Sequence, residues 1–156
     1  MLPEHRLQVV LVNPEIPPNT GNIARTCAAT ATGLHLVGRL GFSLDDRTLK
    51  RAGLDYWQHV DLHYHPGFAS LRNGHPGDRF VLTSALCGCP LWDFRFAAND
   101  WLVFGSESSG LAPEILDAPG ATILTIPHLS TVRGLNLSNA VAIVLYEALR
   151  QFRNLS

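Results

Sequence analysis

Residues 7–37, LQVVLVNPEIPPNTGNIARTCAATATGLHLV, predict a strand, a helix and a second strand in succession. Leu7–Val12 is a short, largely apolar and β-branched run that stops at a proline-rich loop, Pro14–Pro18, as a buried strand would. Leu34–Val37 is a second run of the same kind. The stretch therefore predicts one β-α-β unit, the building block of a parallel sheet.

The helix of this unit is predicted between the two strands. Asn19 or Thr20 can cap its first turn through a side-chain oxygen, and the helix continues through Ala31. Gly33 is the expected C-terminal stop, because glycine readily adopts the left-handed conformation that ends many helices.

The remainder of the chain repeats this alternation, which predicts an α/β fold with a mostly parallel sheet flanked by helices. Ligands of such sheets bind at the carboxyl ends of the strands. We expect one domain over residues 1–156, since no linker, repeat or low-complexity tract interrupts the pattern. The further predicted strands are His59–Tyr64, Arg79–Thr83, Trp101–Phe104 and Ala121–Ile126, and the further predicted helices are Asp45–Ala52, Phe68–Arg72 and Asn136–Phe152.

Composition narrows the class of protein. The chain has 156 residues, 46% of them hydrophobic, and a formal net charge of −1, so it can build one core but lacks the bulk positive charge of a protein that coats nucleic acid. Of its twelve basic residues only Lys50 is a lysine. That bias suits bidentate contacts between arginine and phosphate, although GC-rich coding would produce it equally.

Cysteine usage and the N-terminus indicate a cytoplasmic protein. Three cysteines are an odd number in a chain large enough to fold without disulfides, which is typical of a reducing compartment, and the first residues lack the apolar stretch of a signal peptide. Cys87-Gly88-Cys89 is too closely spaced for common zinc or redox motifs and has no second pair. We expect a turn there and no metal.

The last predicted helix is apolar beyond one face. Its main stripe recurs at steps of three and four, and Ile143 and Tyr146 add apolar surface away from that stripe. Such a helix needs a second partner, either the domain core or the equivalent helix of another subunit, and we predict a homodimer on this basis. The stripe consists of Leu137, Ala140, Val141, Val144, Leu145, Ala148, Leu149 and Phe152.

A loop rich in glycine and serine, Gly105–Leu111, directly follows a predicted strand. Its small residues leave backbone groups open to a small ligand, and Glu107 supplies its only charge. It is not a phosphate-binding loop, which needs lysine where Leu111 stands, nor a hydrolase elbow, because none of its serines has glycines two residues away on both sides. Taken alone, it could equally be a structural turn.

Two further segments carry clustered polar groups. In Asn19–Thr26, the side chains of Asn19, Asn22 and Arg25 recur at spacings of three, so two amides and a guanidinium share one side of a helical turn. An exposed capping turn is the alternative. In residues 126–140, many amides and hydroxyls precede a strongly apolar helix, which is unusual for an ordinary connecting loop.

Asn19–Thr26, Leu102–Leu111 and Ile126–Glu147 resemble, in order and separation, the three motifs of the SPOUT superfamily of RNA ribose 2′-O-methyltransferases. Within it the chain is most similar to the minimal enzymes that methylate the ribose of the tRNA wobble nucleotide, cytidine or carboxymethylaminomethyluridine. The similarity spans nearly the whole chain. It also covers Pro14–Asn22, Gly41-Phe42, Arg51–Tyr56 and Leu135–Val141.

This resemblance implies a deep C-terminal trefoil knot and S-adenosylmethionine (AdoMet) held in a bent shape by backbone groups of the knotted loops, with no metal. Two positions depart from the family's pattern: Gly134 stands where many relatives have serine, and Ser109 where some have arginine. The implied AdoMet-binding residues are Leu82, Thr83, Gly105, Ile126, Pro127, Gly134, Leu135 and Asn136.

The resemblance also implies catalytic roles for Arg25, Asn19, Glu107 and Asn136. In the family the motif-one arginine, here Arg25, is assigned as the base that activates the hydroxyl. Because a guanidinium stays protonated at neutral pH, Arg25 is better suited to orient phosphate and stabilise a developing alkoxide. Glu107 and Asn136 are expected to order the loops around methyl donor and nucleotide, and plain loop ordering is the alternative for Glu107.

Basic and polar side chains near these motifs are expected to contact the tRNA anticodon stem-loop. Lys50 and Arg51 are candidates for its phosphates, unless they are ordinary solvated helix residues, and Asn22 and Arg133 complete the predicted substrate-binding set. Two other functions stay open. The same fold could act on ribosomal RNA or another tRNA position, or the chain could be a non-catalytic module that binds AdoMet or RNA.

We predict that Arg25→Ala abolishes methyl transfer while AdoMet affinity stays nearly unchanged, because Arg25 is assigned to the hydroxyl rather than to the methyl donor. Turnover assays and a calorimetric AdoMet titration check this. Equal loss of turnover and of AdoMet affinity would refute the assignment.

Overall fold

A computed structural model describes residues 1–45, 47–53 and 56–153, and within these residues it contains one parallel sheet with helices on its two faces. The strands are β1 (Gln8–Val12), β2 (Gly33–Val37), β3 (Leu62–His65), β4 (Phe80–Thr83), β5 (Cys89–Pro90), β6 (Trp101–Phe104) and β7 (Thr122–Thr125). The helices are α1 (Pro17–Thr30), α2 (Arg47–Gly53), α3 (Phe68–Asn73), α4 (Pro113–Leu116) and α5 (Leu137–Arg153).

The strands are ordered β3-β2-β1-β6-β4-β7-β5, and each neighbouring pair is parallel. This confirms the predicted α/β class. At the centre, Val10 of β1 lies opposite His35 of β2 on one side and Val103 of β6 on the other. The carboxyl ends of β1, β6, β4 and β7 consequently lie side by side, so the loops that follow these strands are neighbours.

Helix α1 begins at Pro17 rather than at the predicted cap, Asn19 or Thr20. Proline suits a first turn because its fixed φ is helical and its missing N–H needs no partner there. The helix ends with Ala31 in the left-handed conformation, at φ 53°. The predicted stop at Gly33 is therefore wrong, and Gly33 is the first residue of β2.

The predictions are also wrong where elements are short. The expected extended segment His59–Tyr64 starts too early, because Trp57–His59 forms a one-turn 3₁₀ helix before β3. Neither β5, a two-residue strand at the sheet edge, nor the single turn of α4 was predicted, since such lengths produce no periodic pattern. Asp46, within the predicted helix Asp45–Ala52, lies outside the described residues.

Helices α1 and α5 cover one face of the sheet with a shared core, while a second apolar cluster lies on the other face under α3. The predicted stripe of α5 is buried except for the partly buried Ala140. Ile143 and Tyr146, off that stripe, are 40% and 51% exposed. In the described part of the chain, no helix has the length and apolarity needed to span a bilayer. The trefoil knot stays a prediction.

Asp100 is a fully buried carboxylate immediately before β6. It accepts hydrogen bonds from Arg79 Nε at 2.8 Å and Nη2 at 2.6 Å, and from the N–H of Ala97 at 2.8 Å. These bonds to Asp100 raise the pKa of Arg79 above its ordinary value. Since Arg79 precedes β4, the pair joins the amino ends of two neighbouring strands.

Asp100→Ala is expected to lower the free energy of unfolding by about 2–3 kcal/mol, because it leaves a partly buried guanidinium without its carboxylate. Urea unfolding followed by circular dichroism measures this. Arg150→Ala is the matched control: the Arg150 side chain is 61% exposed, and its partner Glu147 keeps a hydrogen bond from Gln151 Nε2 at 3.0 Å, so we expect little change. Equal effects of the two substitutions would contradict the structural role of Asp100.

Candidate active site

The motif-two loop, Gly105–Leu111, folds into a closed turn at the carboxyl end of β6. The N–H of Gly110 donates to the carbonyl of Ser106 at 2.9 Å, and the N–H of Ser109 donates to Ser106 Oγ at 3.2 Å. A Cβ atom on Gly105 would lie 2.0 Å from the carbonyl carbon of Gly110. Only glycine therefore allows the two ends of this loop to meet.

Glu107 connects this loop to the segment that precedes α1. Its carboxylate accepts the backbone N–H of Glu15, at 3.1 Å and 3.3 Å to its two oxygens, and also the N–H of Ile16. Ile16 is the N-cap residue of α1 and has no side-chain acceptor of its own. Glu107 thus supplies an acceptor at the start of motif one that the local sequence does not provide.

Glu15 in turn contacts the motif-two loop. Its Oε1 accepts the N–H of Ser108 at 3.2 Å and the hydroxyl of Ser108 at 2.5 Å. The hydroxyl and N–H of Ser108, with the hydroxyl of Ser106, hold the pKa of the Glu15 carboxyl below its ordinary value of 4.5. We call this pair of contacts, from Glu107 to residues 15–16 and from Glu15 to Ser108, the reciprocal clasp.

Asn136 joins motif three to motif one. Its Oδ1 accepts the N–H and the hydroxyl of Ser138 at 2.9 Å and 2.6 Å, which caps the first turn of α5. Its Nδ2 donates to Oδ1 of Asn19, a buried residue of α1, at 3.1 Å. The start of α1 is thereby held by motif two through the reciprocal clasp and by motif three through Asn136.

Arg25 lies farther along α1 with its side chain exposed. Its guanidinium carbon is 4.7 Å from the ring centroid of Tyr56, a cation–π contact. No hydrogen bond or ion pair joins Arg25 to Asn19, Glu107 or Asn136 in the part of the chain described. The structure brings the last three into one network and leaves Arg25 beside it. Tyr56 was not among the predicted site residues, although it ends the quoted segment Arg51–Tyr56.

The residues predicted to bind AdoMet lie at the carboxyl ends of β4, β6 and β7 and on the loops that follow these strands. Leu82 is buried in β4, and the hydroxyl of Thr83 donates to the carbonyl of Val103 at 2.9 Å, so both serve the sheet. A Cβ on Gly134 would lie 3.5 Å from the Cβ of Ala85. The loops after β4 and β7 therefore face each other, and a serine at position 134 would meet only ordinary contact there.

These two loops have the character of a site for an adenosine-like ligand. Among the described residues, the backbone N–H and C=O groups of Gly134 and Leu135 have no intramolecular hydrogen-bond partner. Large apolar side chains beside them are exposed, and open backbone groups with apolar surface suit a purine and its ribose. These side chains are Leu86, Leu129, Val132 and Leu135, with 93%, 78%, 51% and 41% of their surface exposed. By contrast, no group of three metal-ligating side chains comes together within the described ranges.

The predicted RNA-binding residues are spread over the surface. Lys50 Nζ lies 3.5 Å from Asp45 Oδ1 in an exposed pair, and Arg51 on the same helix is also exposed. Asn22 and Arg133 are exposed on α1 and on the loop after β7. All four side chains are accessible to a large ligand.

A cavity of about 560 Å³ lies on the other side of the motif-two loop, between the loops after β1, β2 and β6. Its lining includes Asn13, Glu15, Arg39, Ser106 and Leu111. None of the AdoMet-binding residues predicted from the loops after β4 and β7 lines it. Sequence reasoning did not single out Arg39 or Asn13, because neither belongs to a recognised motif.

Comparison with known proteins gives a consistent result. A sequence profile described as the SpoU rRNA Methylase family matches residues 6–146. A tRNA (cytidine(34)-2′-O)-methyltransferase of Acidovorax sp. (strain JS42) is 48% identical over 92% of this chain and 90% of its own length. A Synechocystis protein that bears the same name provisionally is 53% identical over 96% of this chain and 99% of its own length.

Solved structures agree with the sequence comparison. One described as "Structural insights into the 2-OH methylation of C/U34 on tRNA" superposes with a TM-score of 0.92 at 47% identity, covering 96% of this chain and 98% of that one. The SpoU methyltransferase AviRb from Streptomyces viridochromogenes, in complex with the cofactor AdoMet, has a TM-score of 0.84 at 25% identity, covering 97% of this chain and 62% of that one.

The reciprocal clasp is expected to loosen in acid. Because the pKa of Glu15 is lowered, its contribution is fully present above the ordinary value of 4.5 and is lost as pH falls through the lowered value. The amide resonance of Ser108, followed by NMR, should titrate with a midpoint below 4.5, and in Glu15→Gln this titration should vanish. A Ser108 titration that persists in Glu15→Gln would assign it to another group.

Proposed function

Because this chain belongs to the SpoU methylase family, we propose that it transfers a methyl group from AdoMet to the ribose 2′-hydroxyl of the nucleotide at position 34 of tRNA. The observation that carries this proposal is high identity to the tRNA (cytidine(34)-2′-O)-methyltransferases over nearly the full length of both chains. The substrate nucleotide is cytidine or carboxymethylaminomethyluridine, the wobble nucleotide of the anticodon loop.

The methyl donor is proposed to bind between the loops after β4 and β7 and the motif-two loop. When bound, AdoMet would supply a methyl group on a positively charged sulfur. The sulfur leaves as a neutral thioether, which needs no metal to activate it. Backbone groups for the ligand come from Gly134, Leu135 and Asn136. The space between the loops is bordered by Ile126 and Pro127, and Gly105 allows the motif-two loop to come close. The solved AviRb complex with AdoMet supports this choice of cofactor.

The protein's own part in the reaction is to position the ribose hydroxyl against the methyl group. We propose that Arg25, held against Tyr56, orients the phosphate beside the methylated ribose and stabilises the negative charge on the 2′-oxygen as its proton passes to water. Asn19 and Asn136 form one amide pair that aligns motif one with motif three. Glu107 fixes the start of α1, on which both Asn19 and Arg25 stand.

The RNA and a second subunit are proposed to cover the exposed groups around this site. Asn22, Lys50, Arg51 and Arg133 are assigned to the anticodon stem-loop. The exposed Ile143 and Tyr146 of α5 support a homodimer, because 40% and 51% of their surface stays exposed in the single chain. The unpaired thiols of Cys27, Cys87 and Cys89 support a cytoplasmic location.

The proposed function is tested by methyl transfer from labelled AdoMet to bulk tRNA from a strain that lacks wobble ribose methylation, followed by nucleoside mapping. We expect a 2′-O-methyl group at position 34 only. Ribosomal RNA from the same strain is the matched substrate control and should stay unlabelled. Methylation of ribosomal RNA or of another tRNA position would reject the assigned substrate, and AdoMet binding without any transfer would reject the enzyme.

A further inference from the structure

The cavity of about 560 Å³ beside the motif-two loop is lined by none of the residues assigned to AdoMet, to the RNA or to methyl transfer. We call it the β1–β2 cleft, and define it by Asn13, Glu15, Arg39, Ser106 and Leu111. It opens at the carboxyl edge of the sheet on the β1–β2 side of β6, whereas the proposed AdoMet loops lie on the β4–β7 side. The motif-two loop separates the two and borders both.

One wall of the β1–β2 cleft is held by Asn13. The N–H of Asn13 donates to the carbonyl of Val37 at 2.8 Å, and its Oδ1 accepts the N–H of Arg39 at 2.8 Å. Gly38 lies between these contacts at φ +80°, and a Cβ there would fall 2.3 Å from Asn13 Oδ1. The backbone of Arg39 is therefore fixed at the rim.

The same wall is also held by close backbone packing between the loops after β1 and β2. The N–H of Gly41 donates to the carbonyl of Pro14 at 2.9 Å, and a Cβ on Gly41 would lie 2.8 Å from Glu15 Cα. Glu15 is in turn bound to Ser108 in the reciprocal clasp. The cleft is thus already formed in the free protein, and a ligand need not order its walls.

The chemistry of the cleft suits a nucleotide. Val12 and Leu111, each only 6% exposed, contribute an apolar floor, and the hydroxyls of Ser106 and Ser109 add polar groups to the wall. Arg39 is exposed, and no carboxylate pairs with its guanidinium in the described residues. An apolar slot with an unpaired guanidinium at its rim can receive a base inside and a phosphate at the edge.

We propose that the β1–β2 cleft binds one unstacked nucleotide of the RNA substrate, next to the methylated ribose, with its phosphate on Arg39. This inference rests on the proposed function for the identity of the RNA. The base lies against the apolar floor, and the fixed backbone of Arg39 sets the distance from base to phosphate. Because the motif-two loop borders both the cleft and the methyl-donor loops, occupancy of the cleft positions the neighbouring ribose.

Direct binding tests this without any need for turnover. We expect Arg39→Ala to weaken binding of a fluorescein-labelled anticodon stem-loop roughly tenfold, the loss typical of a hydrogen bond to a charged group. The slope of log affinity against log salt should fall by about 0.7, as for one lost single-strand phosphate contact. Arg39→Lys should retain that slope, and the Kd for AdoMet should be the same in all variants.

Arg72→Ala is the matched control. Arg72 lies on α3 near the amino ends of β4 and β7, at the edge of the sheet away from the cleft, so this variant should bind RNA like the wild-type protein. Cytidine 5′-monophosphate should compete for the cleft at lower concentration than ribose 5-phosphate, since only the former fills the apolar slot. Unchanged RNA affinity and salt slope in Arg39→Ala would overturn the inference, as would equal competition by the two probes. Either result leaves the proposed function standing if wild type methylates position 34.

Discussion

Two carboxylates, Glu15 and Glu107, each bind the loop that carries the other, and the geometry of the site depends on this exchange. Helix α1 starts with two prolines, and its N-cap residue Ile16 has no side-chain acceptor, so the N–H groups of Glu15 and Ile16 just before the helix need an acceptor from elsewhere. Glu107 supplies it from 92 residues away. Since Asn19, Asn22 and Arg25 all stand on α1, the position of this helix end decides where motif one points.

The order of the strands makes the reciprocal clasp possible. β1 and β6 are neighbours in a parallel sheet, so the loops at their carboxyl ends emerge side by side although they are far apart in the chain. β4 and β7 continue the same edge and bring motif three within reach, where Asn136 contacts Asn19. Gly105 closes the motif-two turn tightly enough to present Glu107 on one side and the open backbone on the other.

Local patterns were enough to predict the parallel α/β fold, because the apolar runs and the apolar stripe of α5 are the residues that the fold buries. They also placed the three polar segments at strand ends and helix starts. They misplaced the start of α1, since its N-cap residue is Ile16, whose N–H is bound by Glu107, rather than Asn19 or Thr20. The contact of Arg25 with Tyr56 and the cleft at Arg39 depend on which loops the sheet order brings together, and no spacing within one segment encodes that.

We infer that Glu107 acts by positioning α1, and this is tested by measuring amide hydrogen exchange at Glu15 and Ile16 together with methyl transfer to tRNA in Glu107→Ala. We expect protection of these two amides and methyl transfer to be lost together, while amides of β6 keep their protection and show that the sheet is intact. Loss of transfer with both amides still protected would show instead that Glu107 acts on the reactants themselves.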